Sequence, residues 1–106
     1  MKTHTQAVEA MPEYPGGMEA LLKFLQRNLI MPREARNVEG KVFIGFIVNE
    51  DGSLSDFKVV MGVSEAIDIC VLETFMKMPN WIPACNNNRP IRSNMVVPLP
   101  IHSHTN

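Results

Sequence analysis

Three histidines and two cysteines are the side chains of this 106-residue chain best suited to metal binding or nucleophilic chemistry. His4, His102 and His104 all lie in the terminal segments. His102 and His104 are two residues apart and could chelate a metal weakly, although a solvated tail explains them more simply. Cys70 and Cys85 have no histidine in the body of the chain to activate them. This arrangement argues against a Cys–His nucleophile.

The carboxylates and glycines do not form a catalytic arrangement either. Glu50 and Asp51 precede Gly52 in a turn, where polar residues are expected. Gly16-Gly17 resembles half of a phosphate-binding loop, but no Lys-Ser/Thr pair follows it. A small enzyme that uses Cys85 is therefore the least favoured function. We expect a protein that is not an enzyme and that needs neither a cofactor nor a metal.

Composition limits the class of protein. Hydrophobic residues make up 45% of the chain, a globular value, and the length suits one domain. Ten basic and eleven acidic side chains leave a net charge of −1, so nucleic acid is not an expected partner. The apolar run 42–48 is far shorter than the ~20 residues of a membrane span, and the amino terminus does not resemble a signal peptide. The chain is then either cytoplasmic or a domain of a larger protein.

Two segments have the apolar spacing of helices. Leucines at positions 21, 22, 25 and 29 predict a first helix over residues 17–28. Ser64 is a plausible N-cap for a second helix over 64–78, which Pro79 ends. The apolar face of this second helix consists of Ile67, Cys70, Val71, Phe75 and Met78. Cys70 is therefore predicted to be buried and inert, although a disulfide to Cys85 depends on geometry and stays open.

Three segments have the composition of strands, at residues 41–49, 53–61 and 91–99. The short turn at Glu50–Gly52 makes the first two an antiparallel hairpin, with Phe57, Val59 and Met61 on one face. Residues 85–89 are predicted to be a polar loop. The fold class is therefore α+β, with order α-β-β-α-β and two helices on one face of a three-stranded antiparallel sheet. We expect a disordered arm at 1–11, the domain at 12–101 and a tail at 102–106.

The single tryptophan marks the corner between the second helix and the last strand. Trp81 stands between Pro79 and Pro83, which fix the backbone on both sides. We expect Trp81 to be buried in the core. Pro79, Pro83 and Gly52 are the other residues expected to have structural roles.

Two prolines in the last strand predict that this strand lies at an edge of the sheet. Pro98 and Pro100 are two residues apart, so both missing N–H donors lie on the same side of the strand. Arg92, Asn94 and Val96 have the same parity and keep their donors on that side. Two interpretations remain: the edge accepts an added strand from a partner, or the prolines only protect the edge from aggregation.

Several segments together resemble one family, the TonB carboxy-terminal domain in its Bacteroidetes-like form. Its opening is similar to Pro12-Glu13-Tyr14-Pro15-Gly16-Gly17, Ala20-Leu21, Asn28 and Pro32. Its central hairpin is similar to Gly40-Lys41-Val42, Phe46-Ile47-Val48, Asp51-Gly52 and 59–63. Its second helix, tryptophan corner and last strand are similar to Ile67-Asp68, Met78-Pro79-Asn80-Trp81-Ile82-Pro83 and Arg89-Pro90-Ile91. The resemblance covers residues 12–101.

The resemblance implies a periplasmic domain of an energy transducer anchored in the inner membrane, with the anchor outside this chain. In the family, the missing amino-terminal region engages the ExbB–ExbD motor. The domain binds the TonB box of outer-membrane transporters as an added β-strand and transmits mechanical work for substrate uptake. The domain could also pair with a second copy of itself as a homodimer. The alternative is a TonB-like interaction or sensor module that is appended to another membrane protein and has no transport role.

The resemblance and the edge argument together assign the partner-binding residues. The family usually has tyrosine before the proline at position 32, whereas this chain has Met31. The residues expected to contact the partner are Ile91, Arg92, Ser93, Asn94, Met95, Val96, Val97, Asn28 and Met31.

Overall fold

The computed structural model describes residues 10–32 and 38–102. Its two helices are α1 (Gly17–Asn28) and α2 (Glu65–Phe75). Its five strands are β1 (Glu39–Val48), β2 (Leu54–Met61), β3 (Ala84–Asn86), β4 (Arg89–Ile91) and β5 (Ser93–His102). The predicted α+β class and the order of the main elements are confirmed. None of the helices in these ranges is long and apolar enough to cross a membrane.

The main sheet is antiparallel and has the strand order β2-β1-β5. β1 and β5 pair without interruption, from Glu39 opposite His102 to Val48 opposite Ser93. One face of this sheet carries the core. Val42, Ile44, Phe46 and Val48 of β1 are all buried, and the alternate residues of β5, from Val97 to Ile101, join them. α1 and α2 cover this face and contribute the buried side chains Leu21, Leu25, Ile67, Val71 and Phe75.

β2 is less regular than its sequence suggests. Its register against β1 shifts twice, between Gly45 and Ile47 and between Phe43 and Ile44 of β1. Phe57 and Val59 pack against the core as expected. Met61, which was predicted to share their face, is 61% exposed and lies opposite Phe43. The extra residue at the second shift moves Met61 to the other face, because alternation holds only while the register is regular.

The first helix has the predicted bounds, and the second is shorter. Ser64 caps α2, and its hydroxyl accepts a hydrogen bond from the Ile67 amide at 3.3 Å. Beyond Phe75 the chain continues in tighter turns up to Met78. Cys70 is only half-buried, so its predicted burial was too strong. Thr74 is buried instead, and its hydroxyl donates to the Cys70 carbonyl at 2.8 Å, which satisfies this polar group inside the core.

The tryptophan corner packs on the hairpin between β1 and β2. Trp81 is 5% exposed, and its ring makes edge contacts with Tyr14 and Phe46 at centroid distances of 5.8 and 5.2 Å. Its amide donates to the Gly52 carbonyl at 2.9 Å. Gly52 has φ +89°, and a Cβ there would lie 2.3 Å from the Trp81 carbonyl oxygen. Glycine is required at position 52 for two reasons: its backbone is left-handed, and the Trp81 carbonyl leaves no room for a side chain.

Residues 84–91 form a hairpin rather than the predicted polar loop. β3 pairs with β4, and Asn87 and Asn88 at the turn have φ +54° and +63°. Two consecutive left-handed residues are typical of a type I′ turn, a conformation that asparagine tolerates. Ala10, expected to belong to the arm, exchanges two backbone hydrogen bonds with Cys85. Residues 1–9 and 103–106 of the expected arm and tail lie outside the described residues.

Candidate docking edge

β5 forms one edge of the main sheet. Within residues 10–32 and 38–102 its ladder partner is β1, and its other side bears no strand. Side chains alternate along it: Val97, Leu99 and Ile101 are buried, whereas Asn94, Val96, Pro98 and Pro100 are exposed. This strand therefore presents a backbone edge between a packed face and a solvent-exposed face.

The prolines indicate which amides of β5 point away from the sheet. In an antiparallel ladder, the N–H and C=O groups of one residue point to the same side of the strand, and those of the next residue point to the other side. Pro98 and Pro100 have no N–H to give, and the register to β1 passes through both without a shift. The odd-numbered residues therefore bond to β1, and Asn94 and Val96 direct their N–H groups outward.

The opposite edge of the sheet is less suitable for an added strand. β2 has register shifts at two places, and Asp56 there has φ +55°. Bulges of this kind twist a strand and interrupt its row of donors and acceptors. An added strand therefore pairs less readily with such an edge. The ten-residue β5 pairs with β1 without a register shift and is the more regular of the two edges.

The structure separates the sequence-predicted binding residues along the chain instead of placing them all in one strand. Ser93–Val97 lie in β5 itself, at the edge. Arg92 is exposed between β4 and β5. Ile91, predicted to begin the last strand, ends β4 and pairs with Ala84, because the type I′ hairpin takes up this part of the chain.

Asn28 is the last residue of α1, and Met31 lies in the segment that follows the helix. The Asn28 amide group donates to the Phe24 carbonyl at 2.8 Å, which satisfies an acceptor in the last turn of the helix. Met31 is half-buried against the core. A role for these two residues in partner binding stays a prediction.

Two apolar depressions lie between β5 and the elements that cover its packed face. The first, here called the Trp81 pocket, has a volume of about 290 Å³ and is lined by Tyr14, Met18, Trp81, Val97 and Pro98 among others. The second, here called the Leu22 pocket, has a volume of about 330 Å³ and is lined by Leu22, Leu25, Gln26, Leu29, Leu99 and Pro100. Sequence reasoning missed both pockets, because they depend on how α1 sits over β5.

The Trp81 pocket is dominated by apolar and aromatic surface. Burial raises the pKa of Tyr14 above its ordinary value, because desolvation disfavours the charged phenolate. The Trp81 Nε1 is buried and has no hydrogen-bond partner among the described residues. Apart from Glu13, the side chains that line the pocket are apolar or aromatic, which suits contact with apolar side chains.

Of the side chains first considered for chemistry, the cysteines lie outside β5, and two of the three histidines lie outside the described residues. Cys70 and Cys85 are free thiols, each half-buried. His4 and His104 are outside the described residues, and His102 ends β5. Within residues 10–32 and 38–102, no group of three or more His, Cys, Asp or Glu side chains could hold a metal ion.

The fold and its edge define a class: a small α+β module whose sheet ends, among the described residues, in one regular strand. Comparison with known families places the chain within that class. Residues 31–100 match the family of the Gram-negative bacterial TonB protein C-terminal, and this chain belongs to that family. The C-terminal domain of TonB is periplasmic in Gram-negative bacteria.

A solved structure has the same fold. The solution structure of the Helicobacter pylori TonB C-terminal domain is similar, with a TM-score of 0.60 and 20% sequence identity. The similarity covers 84% of this chain and 82% of that one. Comparison with curated protein sequences gave no match.

Proposed function

We propose that this domain binds an extended segment of an outer-membrane transporter, the TonB box, as a strand added to β5. The domain would act as the periplasmic part of an energy transducer whose inner-membrane anchor and ExbB–ExbD contacts lie outside this chain. Through the added strand it would transmit mechanical work to the transporter. The observation that carries the proposal is the regular β5 edge with outward amides at Asn94 and Val96.

Family membership supports the choice of partner. The TonB family acts with outer-membrane transporters in general, and strand addition is a mode of recognition in which main-chain hydrogen bonds supply much of the affinity. The exposed side chains at the edge are small or uncharged, apart from Arg92 just before it. Such an edge accepts segments of differing sequence, which suits one transducer that serves several transporters.

The test is a titration with a synthetic peptide that covers the TonB box of a transporter from the same genome. Asn94→Pro removes one outward N–H and places a ring where the added strand would lie, so we expect at least a tenfold loss of affinity. Asn94→Ala keeps the backbone donor and should change the affinity by less than about threefold, because the side chain is exposed.

The structure supplies a matched control for folding. Pro98 and Pro100 show that β5 tolerates proline at even-numbered positions, so Asn94→Pro should keep the wild-type circular dichroism spectrum. Met95→Pro would remove a donor that faces β1 and should destabilise the sheet instead. If folded Asn94→Pro bound the peptide as tightly as the wild type, β5 would not be the docking edge. If the wild type bound no transporter peptide, the interaction or sensor module would be the better account.

A further inference from the structure

The edge of β5 changes its hydrogen-bonding character along its length. Asn94 and Val96 offer both an N–H donor and a carbonyl acceptor on the outward side. Pro98 and Pro100 offer only the acceptor. A partner strand lying along the whole edge can therefore form a complete ladder over 94–96, but only half of one over 98–100.

The two apolar pockets lie where the ladder becomes incomplete. The Trp81 pocket borders β5 at residues 95–98, and the Leu22 pocket borders it at Leu99 and Pro100. Both are on the packed face of the sheet, because Val97 and Leu99 point toward the helices. Apolar contact is thus available where donors are missing.

Strand geometry relates the two pockets to positions on the partner. In a sheet, residues directly opposite one another on neighbouring strands point to the same face. A partner residue beside Val97 would point toward the Trp81 pocket, and one beside Leu99 would point toward the Leu22 pocket. These two partner residues are two positions apart, which separates them by about 6.6–6.8 Å.

We infer that the docking edge selects transporter segments in which two apolar side chains, two residues apart, fill the Trp81 pocket and the Leu22 pocket. This inference rests on the proposed strand addition and adds a basis for selectivity to it. The backbone ladder over 94–96 would fix the register, and the two side chains would anchor the part of the segment that passes the prolines. Pockets for alternate side chains are the general source of specificity in strand addition.

Two exposed residues allow the pockets to be changed without disturbing the core. Met18 and Leu22 line one pocket each and are 64% and 43% exposed. Met18→Glu and Leu22→Glu place a carboxylate in the Trp81 pocket and the Leu22 pocket respectively, and glutamate is a good helix former. Ile69→Glu is the matched control, since Ile69 is 47% exposed on α2, away from β5.

The experiment combines these variants with the same TonB-box peptide, in which each apolar residue is replaced in turn by serine. We expect two peptide positions, two residues apart, to lose about tenfold to a hundredfold in affinity for the wild-type domain. In Met18→Glu, the affinity should no longer depend on the peptide residue beside Val97. In Leu22→Glu, it should no longer depend on the peptide residue beside Leu99. Ile69→Glu should behave as the wild type, and Trp81 fluorescence should respond to the first position only.

The outcomes separate this inference from the proposed function. If Met18→Glu and Leu22→Glu bound the peptide as the wild type does while Asn94→Pro did not, the pockets would play no part and strand addition would stand. If the sensitive peptide positions were adjacent or three apart, the inference would also be wrong. If no peptide bound the wild type, the proposed function would fail and the inference with it.

Discussion

The contact between Gly52 and the tryptophan corner allows a quantitative test of how the fold is held together. Gly52 has φ +89°, where an alanine costs about 1–2 kcal/mol. Its added Cβ would lie 2.3 Å from the Trp81 carbonyl oxygen, so the corner must move. That movement weakens the hydrogen bond from the Trp81 amide to Gly52, worth about 0.5–1.5 kcal/mol. We expect Gly52→Ala to lower the free energy of unfolding by about 2–3 kcal/mol.

Gly17→Ala is a matched control for the backbone term. Gly17 has a similar φ of +84°, but a Cβ there meets only the Glu13 carboxylate at 3.7 Å, an ordinary contact. Gly17→Ala should lower the free energy of unfolding by about 1 kcal/mol or less. The smaller conformational entropy of the unfolded alanine variant offsets part of the strain. Urea unfolding followed by far-UV circular dichroism gives both values. Equal destabilisation by the two variants would refute the argument that the approach to Trp81, rather than φ alone, requires glycine at position 52.

Three further outcomes follow from described contacts. Trp81→Ala should cost about 3–5 kcal/mol in urea unfolding, because a buried aromatic ring is removed; a loss below 1 kcal/mol would contradict its role as a core anchor. Ser64→Ala should lower the free energy of unfolding by about 1 kcal/mol, since it removes the cap on the Ile67 amide, and Ser64→Asp should restore most of that loss. Hydrogen bonds from the Ser53 hydroxyl and then its amide lower the pKa of Asp51, so any stabilisation from this group is present above the ordinary Asp pKa and lost as the pH falls through the lowered value. Carboxyl NMR titration should show a higher Asp51 pKa in Ser53→Ala than in the wild type, and an unchanged pKa would rule out the hydroxyl as the main cause.

Local patterns in the sequence were sufficient to predict the main elements. The leucine spacing predicted the bounds of α1, whereas Pro79 set only an outer limit for α2, which ends earlier, at Phe75. The shared parity of Pro98 and Pro100 predicted that β5 lies at an edge, because a missing donor is tolerated only there. Each of these signals depends on neighbouring residues alone.

The features that the sequence did not reveal depend on pairing between distant segments. The alternation of Phe57, Val59 and Met61 looks uniform, yet a bulge opposite β1 reverses the face of Met61. The β3–β4 hairpin was hidden because Asn87-Asn88 is a less common type I′ pair than Asn-Gly. The two pockets arise from the position of α1 over β5, which no local pattern encodes.

The proposed function requires a partner strand that pairs with the outward amides of β5. Amide hydrogen exchange by NMR tests it most directly, residue by residue, in the free domain and with the TonB-box peptide. In the free domain, Met95 and Val97 should exchange slowly, because they bond to β1, whereas Asn94 and Val96 should exchange fast. The peptide should protect Asn94 and Val96. Protection that instead appeared along β2, with Asn94 and Val96 unchanged, would mean that β5 is not the docking edge.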